Sequence, residues 1–139
     1  MIVAYTDGGS RGNPGPAGYG VRLEDASGAL VAELSGALGI ATNNVAEYRG
    51  LLAALEWARA HGVTSLCVRS DSELLVKQMK GLYRVRNPGL QPLHRQAQQI
   101  ARQVGHVRFE HVRRERNTEA DRLANQAMDE AAAAPTPGP

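Results

Sequence analysis

Cysteine is almost missing: among 139 residues there is one, Cys67. A single thiol excludes an internal disulfide and any multi-cysteine zinc site, and its setting, Leu66-Cys67-Val68, reads as buried and inert. Aromatics are also sparse, with one Phe, one Trp and four Tyr, so the core has to be built from Val, Leu, Ile and Ala. No run approaches the roughly 20 apolar residues of a membrane span, and the N-terminus lacks the charged-then-apolar layout of a signal peptide. The expectation is a soluble, cytoplasmic protein. The four histidines (His61, His94, His106, His111) lack metal-ligand spacings such as His-Glu-x-x-His, and no Ser-His-Asp or Cys-His set suggests itself. Lysine is nearly absent too. Fourteen of the sixteen basic residues are Arg, a choice that suits phosphate contact.

What is there supports one domain. At 42% hydrophobic residues the chain can bury a core without staples, and the reading is a single unit over 1–130 followed by a disordered Ala/Pro-rich tail over 131–139. Residues 2–6 form a buried strand stopped by Asp7-Gly8-Gly9. Tyr19 to Glu24 alternates apolar and polar, and Leu30 to Leu38 follows the Ser27-Gly28 turn, so 2–38 reads as an antiparallel meander. Asn43 or Asn44 caps a helix running to about His61, with Gly62 as its stop. Leu66–Val68 is a short strand reached by a crossover, hence parallel to its neighbour. A short helix spans Ser72 to about Lys80. Leu93, Ala97, Ile100 and Val104 set the next helix against the core, and His106 to Val112 alternates as a strand with Val107, Phe109 and His111 inward. Thr118 begins the last helix, with Ala120, Leu123, Ala124 and Ala127 inward. The fold class is α/β: a five-stranded mixed sheet, three antiparallel strands then parallel ones, flanked by helices.

Four acids carry the chemistry. Each has an ordinary structural role: Asp7 as a turn residue, Glu47 and Asp121 in capping boxes three residues after Asn44 and Thr118, and Asp71 as an N-cap. Their combination has none. Asp7 and Asp71 end neighbouring strands, the edge of an α/β sheet where ligands bind, and Glu47 and Asp121 open helices able to face it. Carboxylates converging without cationic partners repel and raise one another's pKa values. A divalent cation relieves that cost, and an oxygen-only donor set points to magnesium or manganese. Such a quartet would also mask a basic surround, so the net charge of +2 does not exclude a polyanionic partner. The Gly-rich loop is not a Walker motif, since no Gly-Lys-Ser/Thr follows.

Thr6-Asp7-Gly8-Gly9-Ser10 with Gly12-Asn13-Pro14-Gly15-Pro16-Ala17-Gly18-Tyr19-Gly20, then Thr42-Asn43-Asn44-x-x-Glu47, Ser70-Asp71-Ser72, and Asn117-x-x-Ala120-Asp121-x-Leu123-Ala124 closely resemble type 1 ribonuclease H. The likeness covers about residues 1–130. It implies the ribonuclease H-like fold and endonucleolytic hydrolysis of the RNA strand of RNA–DNA hybrids, leaving 5′-phosphate and 3′-hydroxyl ends. It implies Asp7, Glu47, Asp71 and Asp121 as catalytic metal ligands for two magnesium ions, with manganese as a substitute. Gly8, Asn13, Asn43 and Asn44 would contact the hybrid, the three Asn in its minor groove, and Thr42 and Asn87 would grip a DNA-strand phosphate. The partner implied is the hybrid duplex, bound by a monomer without membrane or obligate protein partner.

Three departures from the family pattern stand out. The loop Val112-Arg113-Arg114-Glu115-Arg116-Asn117 has no histidine and resembles the bacterial and archaeal branch in which an arginine serves; spacing selects Arg114 as that catalytic residue. The segment between Met79 and Leu93 is too short for a basic, Trp-containing protrusion, leaving Tyr83, Arg84 and Arg86 as partial substitutes. Glu73 and Lys77 stand where some relatives have glutamines. A second reading is a hybrid-binding module on the same fold that no longer cleaves; four acids facing phosphates argue against it. A related-fold nuclease acting on DNA loses to the Thr-Asn-Asn and Gly-Asn-Pro-Gly pieces.

Overall fold

Five extended segments pair into one sheet: β1 (Ile2–Ser10), β2 (Gly15–Glu24), β3 (Leu30–Ala41), β4 (Ser65–Ser70) and β5 (His106–His111). Four α-helices, α1 (Asn43–Ala60), α2 (Glu73–Met79), α3 (Gln91–Val104) and α4 (Thr118–Ala133), and a 3-10 turn over Arg114–Arg116 make up the other regular elements among the described residues. The computed structural model describes residues 1–133. Of the expected tail, 131–133 continue α4 and 134–139 lie outside the described residues. Strand order is β3-β2-β1-β4-β5. The β1–β2 and β2–β3 pairs are antiparallel, and the β1–β4 and β4–β5 pairs are parallel, which is the mixed sheet expected.

The first strand does not stop at residue 6. It continues through Asp7 to Ser10, paired with β2 from Val3↔Glu24 to Ser10↔Ala17. Its glycines do not break it, because their role is to admit helices. A Cβ on Gly8 would sit 2.3 Å from the Ala46 carbonyl of α1, and one on Gly20 would sit 2.5 Å from both Ala120 O and Leu123 Cβ of α4. Gly8 pairs with Tyr19 and Asp7 with Gly20, and successive residues of a strand face opposite sides. So α1 covers one face of β1–β2, and α4 covers the other, on the side toward which Asp7 projects.

The main core lies on the α1 side. There Ala4, Val21, Leu23, Leu66 and Val68 of the sheet pack with Tyr48, Leu51, Leu52 and Leu55 of α1 and Leu93, Ala97 and Ile100 of α3. Each fully buried leucine contributes about 1.5–3 kcal/mol relative to leaving it exposed. One polar tie crosses this core: Tyr48 donates its hydroxyl to Gln78 Oε1 at 2.6 Å, joining α1 to α2. The Tyr48 phenol is correspondingly pushed upward in pKa by burial.

Helix starts differ from expectation, with consequences for the acids. Thr42, not Asn43 or Asn44, caps α1, its Oγ1 accepting from Val45 N at 3.2 Å. Glu47 is therefore too far along the helix for a capping box. Ser72, not Asp71, caps α2 through Leu75 N. In α4 the first carbonyl acceptor is Asn117, bonded by Asp121 N at 3.0 Å, so Thr118 is not the cap and forms no box with Asp121. Three of the four ordinary roles are thus vacated. His111, expected inward on β5, is exposed, as a residue on an edge strand can be.

The glycine face under α4 gives a stability prediction. Gly20→Ala forces backbone of α4 and sheet apart, so it should lower unfolding free energy by about 1–3 kcal/mol in urea denaturation. An unchanged midpoint would mean α4 does not ride on this strand.

Candidate active site

The β1–β4 ladder ends at Thr6↔Ser70. Beyond that point the two strands diverge, and the next residue on each is an acid: Asp7 and Asp71. Where the ladder stops, the Thr6 carbonyl is taken by Asn117, whose Nδ2 donates to it at 2.9 Å. Asn117 is 1% exposed and stands close enough to Asp71 to favour its charged form. One buried amide therefore joins the end of β1 to the head of α4. The tie has a cost, since Thr6 Oγ1 and Asn117 Oδ1 are buried without a partner among the described residues.

Asp7, Glu47, Asp71 and Asp121 line a single cleft of about 510 Å³ together with Gly8, Asn43, Asn44 and Arg114. Asp121, in the first turn of α4, comes within hydrogen-bonding reach of Asp7. Ser72, the cap of α2, lies close enough to Glu47 to favour its charged form. Among the described residues no three His, Cys, Asp or Glu side chains stand as a ready-made metal nest. The four acids share the cleft without closing on a common centre.

The electrostatics report crowding. Burial, then the charge of Asp71 and the proton-sharing contact with Asp121, push Asp7 up to about 8. Burial, opposed by Ser72 and helped by Asp71, raises Glu47. Asp71 is raised by burial and by Asp121, against the lowering effects of Arg114 and Asn117. Arg114 is exposed on its 3-10 turn, close enough to favour the charged form of Asp71. A set of oxygen donors that cannot all ionise together has the chemistry to hold a hard divalent cation.

The other sequence-derived residues fall in two groups. Asn13 accepts from Asn43 N at 3.1 Å, and Asn43 Oδ1 accepts from Ser10 N at 2.8 Å, so the β1–β2 turn is stitched to the start of α1. Thr42 and Asn87 lie outside the cleft lining. Their oxygens accept from Val45 N and, at 2.8 Å, from Gly89 N. Sequence reasoning assigned no role to Asn117, Ser72, Arg11 or Asn125. The four-residue step from Asp121 to Asn125 on one helix was a signal that could have found the last. His111, read as a strand residue, has Nε2 3.3 Å from the Asp71 carbonyl.

A family model described as "Reverse transcriptase-like" matches residues 5–127. Bifunctional protein Rv2228c of Mycobacterium tuberculosis is 54% identical over 132 residues, covering 94% of this chain but 36% of that protein. Ribonuclease HI of Halobacterium salinarum is 43% identical over 130 residues, covering 94% of this chain and 65% of its own length. The chain thus spans about a third of the mycobacterial relative and just under two thirds of the halobacterial one. A structure described as LC11-RNase H1 in complex with RNA/DNA hybrid superposes with a TM-score of 0.91 at 43% identity, covering 96% of this chain and all of that one. No helix among the described residues is long and apolar enough to cross a membrane.

The raised carboxylates set the pH dependence of stability. Asp7 keeps its proton to about pH 8 when folded and gives it up near its ordinary 3.8 when unfolded. Between those limits the folded chain binds the extra proton, so stability falls as pH rises. In a chelating buffer the melting temperature should drop from pH 5 to pH 8, and Asp7→Asn should flatten that drop and melt higher at pH 8. A wild-type melting temperature that climbs over this range would contradict the crowding.

Proposed function

The chain belongs to the type 1 ribonuclease H family, and from that premise we propose that it is an endoribonuclease that hydrolyses the RNA strand of RNA–DNA hybrids. The observation that carries the reading is the meeting of four carboxylates from β1, α1, α2's entry and α4 in one cleft, with Asp7 raised by burial and then by its acidic neighbours. A module that only bound hybrid would gain nothing from such repulsion beside a polyanion.

The family depends in general on divalent metal, and we propose magnesium, as two ions, held by Asp7, Glu47, Asp71 and Asp121. Bound there, the ions would lower the pKa of the attacking water and stabilise the leaving oxygen, giving 5′-phosphate and 3′-hydroxyl products. The protein's own share is orientation. Asn117 fixes the Thr6 carbonyl that precedes Asp7 and favours the charged form of Asp71, as Ser72 favours that of Glu47. Arg114, beside Asp71, is suited to donate to a phosphate oxygen as charge builds on it.

Substrate choice falls to the amides. Asn13 and Asn43 have Oδ1 engaged within the protein, so Nδ2 is the atom each has to offer to 2′-hydroxyls and base edges, with Asn44 exposed beside them and Gly8 in the cleft wall. These groups are displayed in the wide, shallow minor groove of RNA-containing duplexes. Thr42 and Asn87 likewise have their oxygens occupied. The hydroxyl proton and Nδ2 remain as donors, the polarity a DNA-strand phosphate requires. We assign the activity to residues 1–130, acting as a cytoplasmic monomer.

A labelled hybrid, compared with matching RNA and DNA duplexes with and without magnesium, tests the activity. Cleavage should be confined to the RNA strand of the hybrid and vanish on chelation. Asp7→Asn or Asp71→Asn should abolish cutting while hybrid is still bound; cutting at the wild-type rate by either would defeat the metal assignment. Arg114→Ala should lower kcat about 10²-fold or more with little change in Kd, and unchanged turnover would make Arg114 a surface arginine.

A further inference from the structure

Arg11 lines the cleft yet belongs neither to the acids nor to the amides. Its backbone N–H closes the β1–β2 turn on Pro16 O at 2.9 Å. Its guanidinium reaches across to α4, where Nη1 donates to Asp129 Oδ1 at 2.6 Å and Nη2 donates to Asn125 Oδ1 and O at 3.3 and 3.4 Å. Asp121, Asn125 and Asp129 follow one another at four-residue steps and so form one stripe along α4. Asn125 is itself fixed by donating Nδ2 to Asp121 O at 2.9 Å. Arg11 therefore lies over this stripe, one turn beyond Asp121.

The ion pair is open to solvent, with side-chain exposures of 45% for Arg11 and 66% for Asp129. Exposed pairs contribute little to stability, and a guanidinium fork fits a phosphate as well as it fits a carboxylate. Asp129 is a different matter, since an acid beside a cleft that receives a polyanion opposes the incoming strand. We propose that Arg11 is a phosphate-contacting residue for the hybrid and Asp129 its internal competitor. Substrate entry exchanges the carboxylate for a backbone phosphate on the same guanidinium. The inference rests on the hybrid-cleaving reading above. The rival role is a latch, in which Arg11 and Asp129 act together to fasten the glycine-rich turn to α4.

The two roles move a pair of variants in different directions. Binding of a labelled RNA–DNA hybrid is measured over a salt series, with magnesium, in the Asp71→Asn background, alongside thermal unfolding. Arg11→Ala should raise Kd about tenfold and reduce the slope of log K against log salt by about one. Asp129→Asn should lower Kd, by about threefold, with no loss of melting temperature. If both variants weaken binding and melt earlier, or if Arg11→Ala leaves Kd and slope unchanged, the proposal is overturned and the latch stands. If neither the wild-type protein nor the background binds hybrid even at low salt, the functional reading itself falls, a result distinct from either.

Discussion

Negative charge brought together against its own repulsion is the constraint on which this structure turns. Burial first, and then the approach of Asp71 and Asp121, keeps a proton on Asp7 to about pH 8. Nothing in the packing of a mixed sheet requires that, because solvent-facing acids at the same sequence positions would satisfy every helix and strand. The cost is tolerated because backbone elements hold the acids where they are: the end of the β1–β4 ladder, the head of α4 and the second turn of α1.

That holding is done at close range. Gly8 lets α1 lie directly on β1, and Gly18 and Gly20 let α4 lie directly on β2, so the two helices that carry Glu47 and Asp121 grip opposite faces of the strand pair that carries Asp7. Side chains at those glycines would lift each helix and widen the cleft. Asn117 then ties the end of β1 to the head of α4. The acids are therefore positioned by main chain and by one buried amide rather than by long side chains reaching in.

Much of this could be read in the residues before any coordinates. Strand number, the switch from antiparallel to parallel pairing, and the buried faces of α3 and α4 followed from periodicity, because those segments carry strong alternation or three-and-four spacing. Boundaries were less legible. The Asp7-Gly8-Gly9 stretch looked like a strand end, whereas its glycines are packing positions within a strand, and a local pattern cannot distinguish the two. The caps were misassigned for a related reason. Thr42, Asn43 and Asn44 are all good cap residues, and only the tertiary use of Asn43 by Ser10 leaves the cap to Thr42. Asn117 was given no role of its own, and that role is visible only when Thr6, 111 residues away in sequence, is beside it.

That separation has a consequence for how the molecule comes into being. The sheet's first three strands and α1 form from neighbouring stretches of chain, so they can assemble early during synthesis on the ribosome. The bond between Thr6 and Asn117 and the arrival of Asp121 wait until the polypeptide has emerged beyond α4. A chain interrupted before α4 can hold most of the hydrophobic interior while lacking a complete cleft, so the core and the site are separable in the order in which they form.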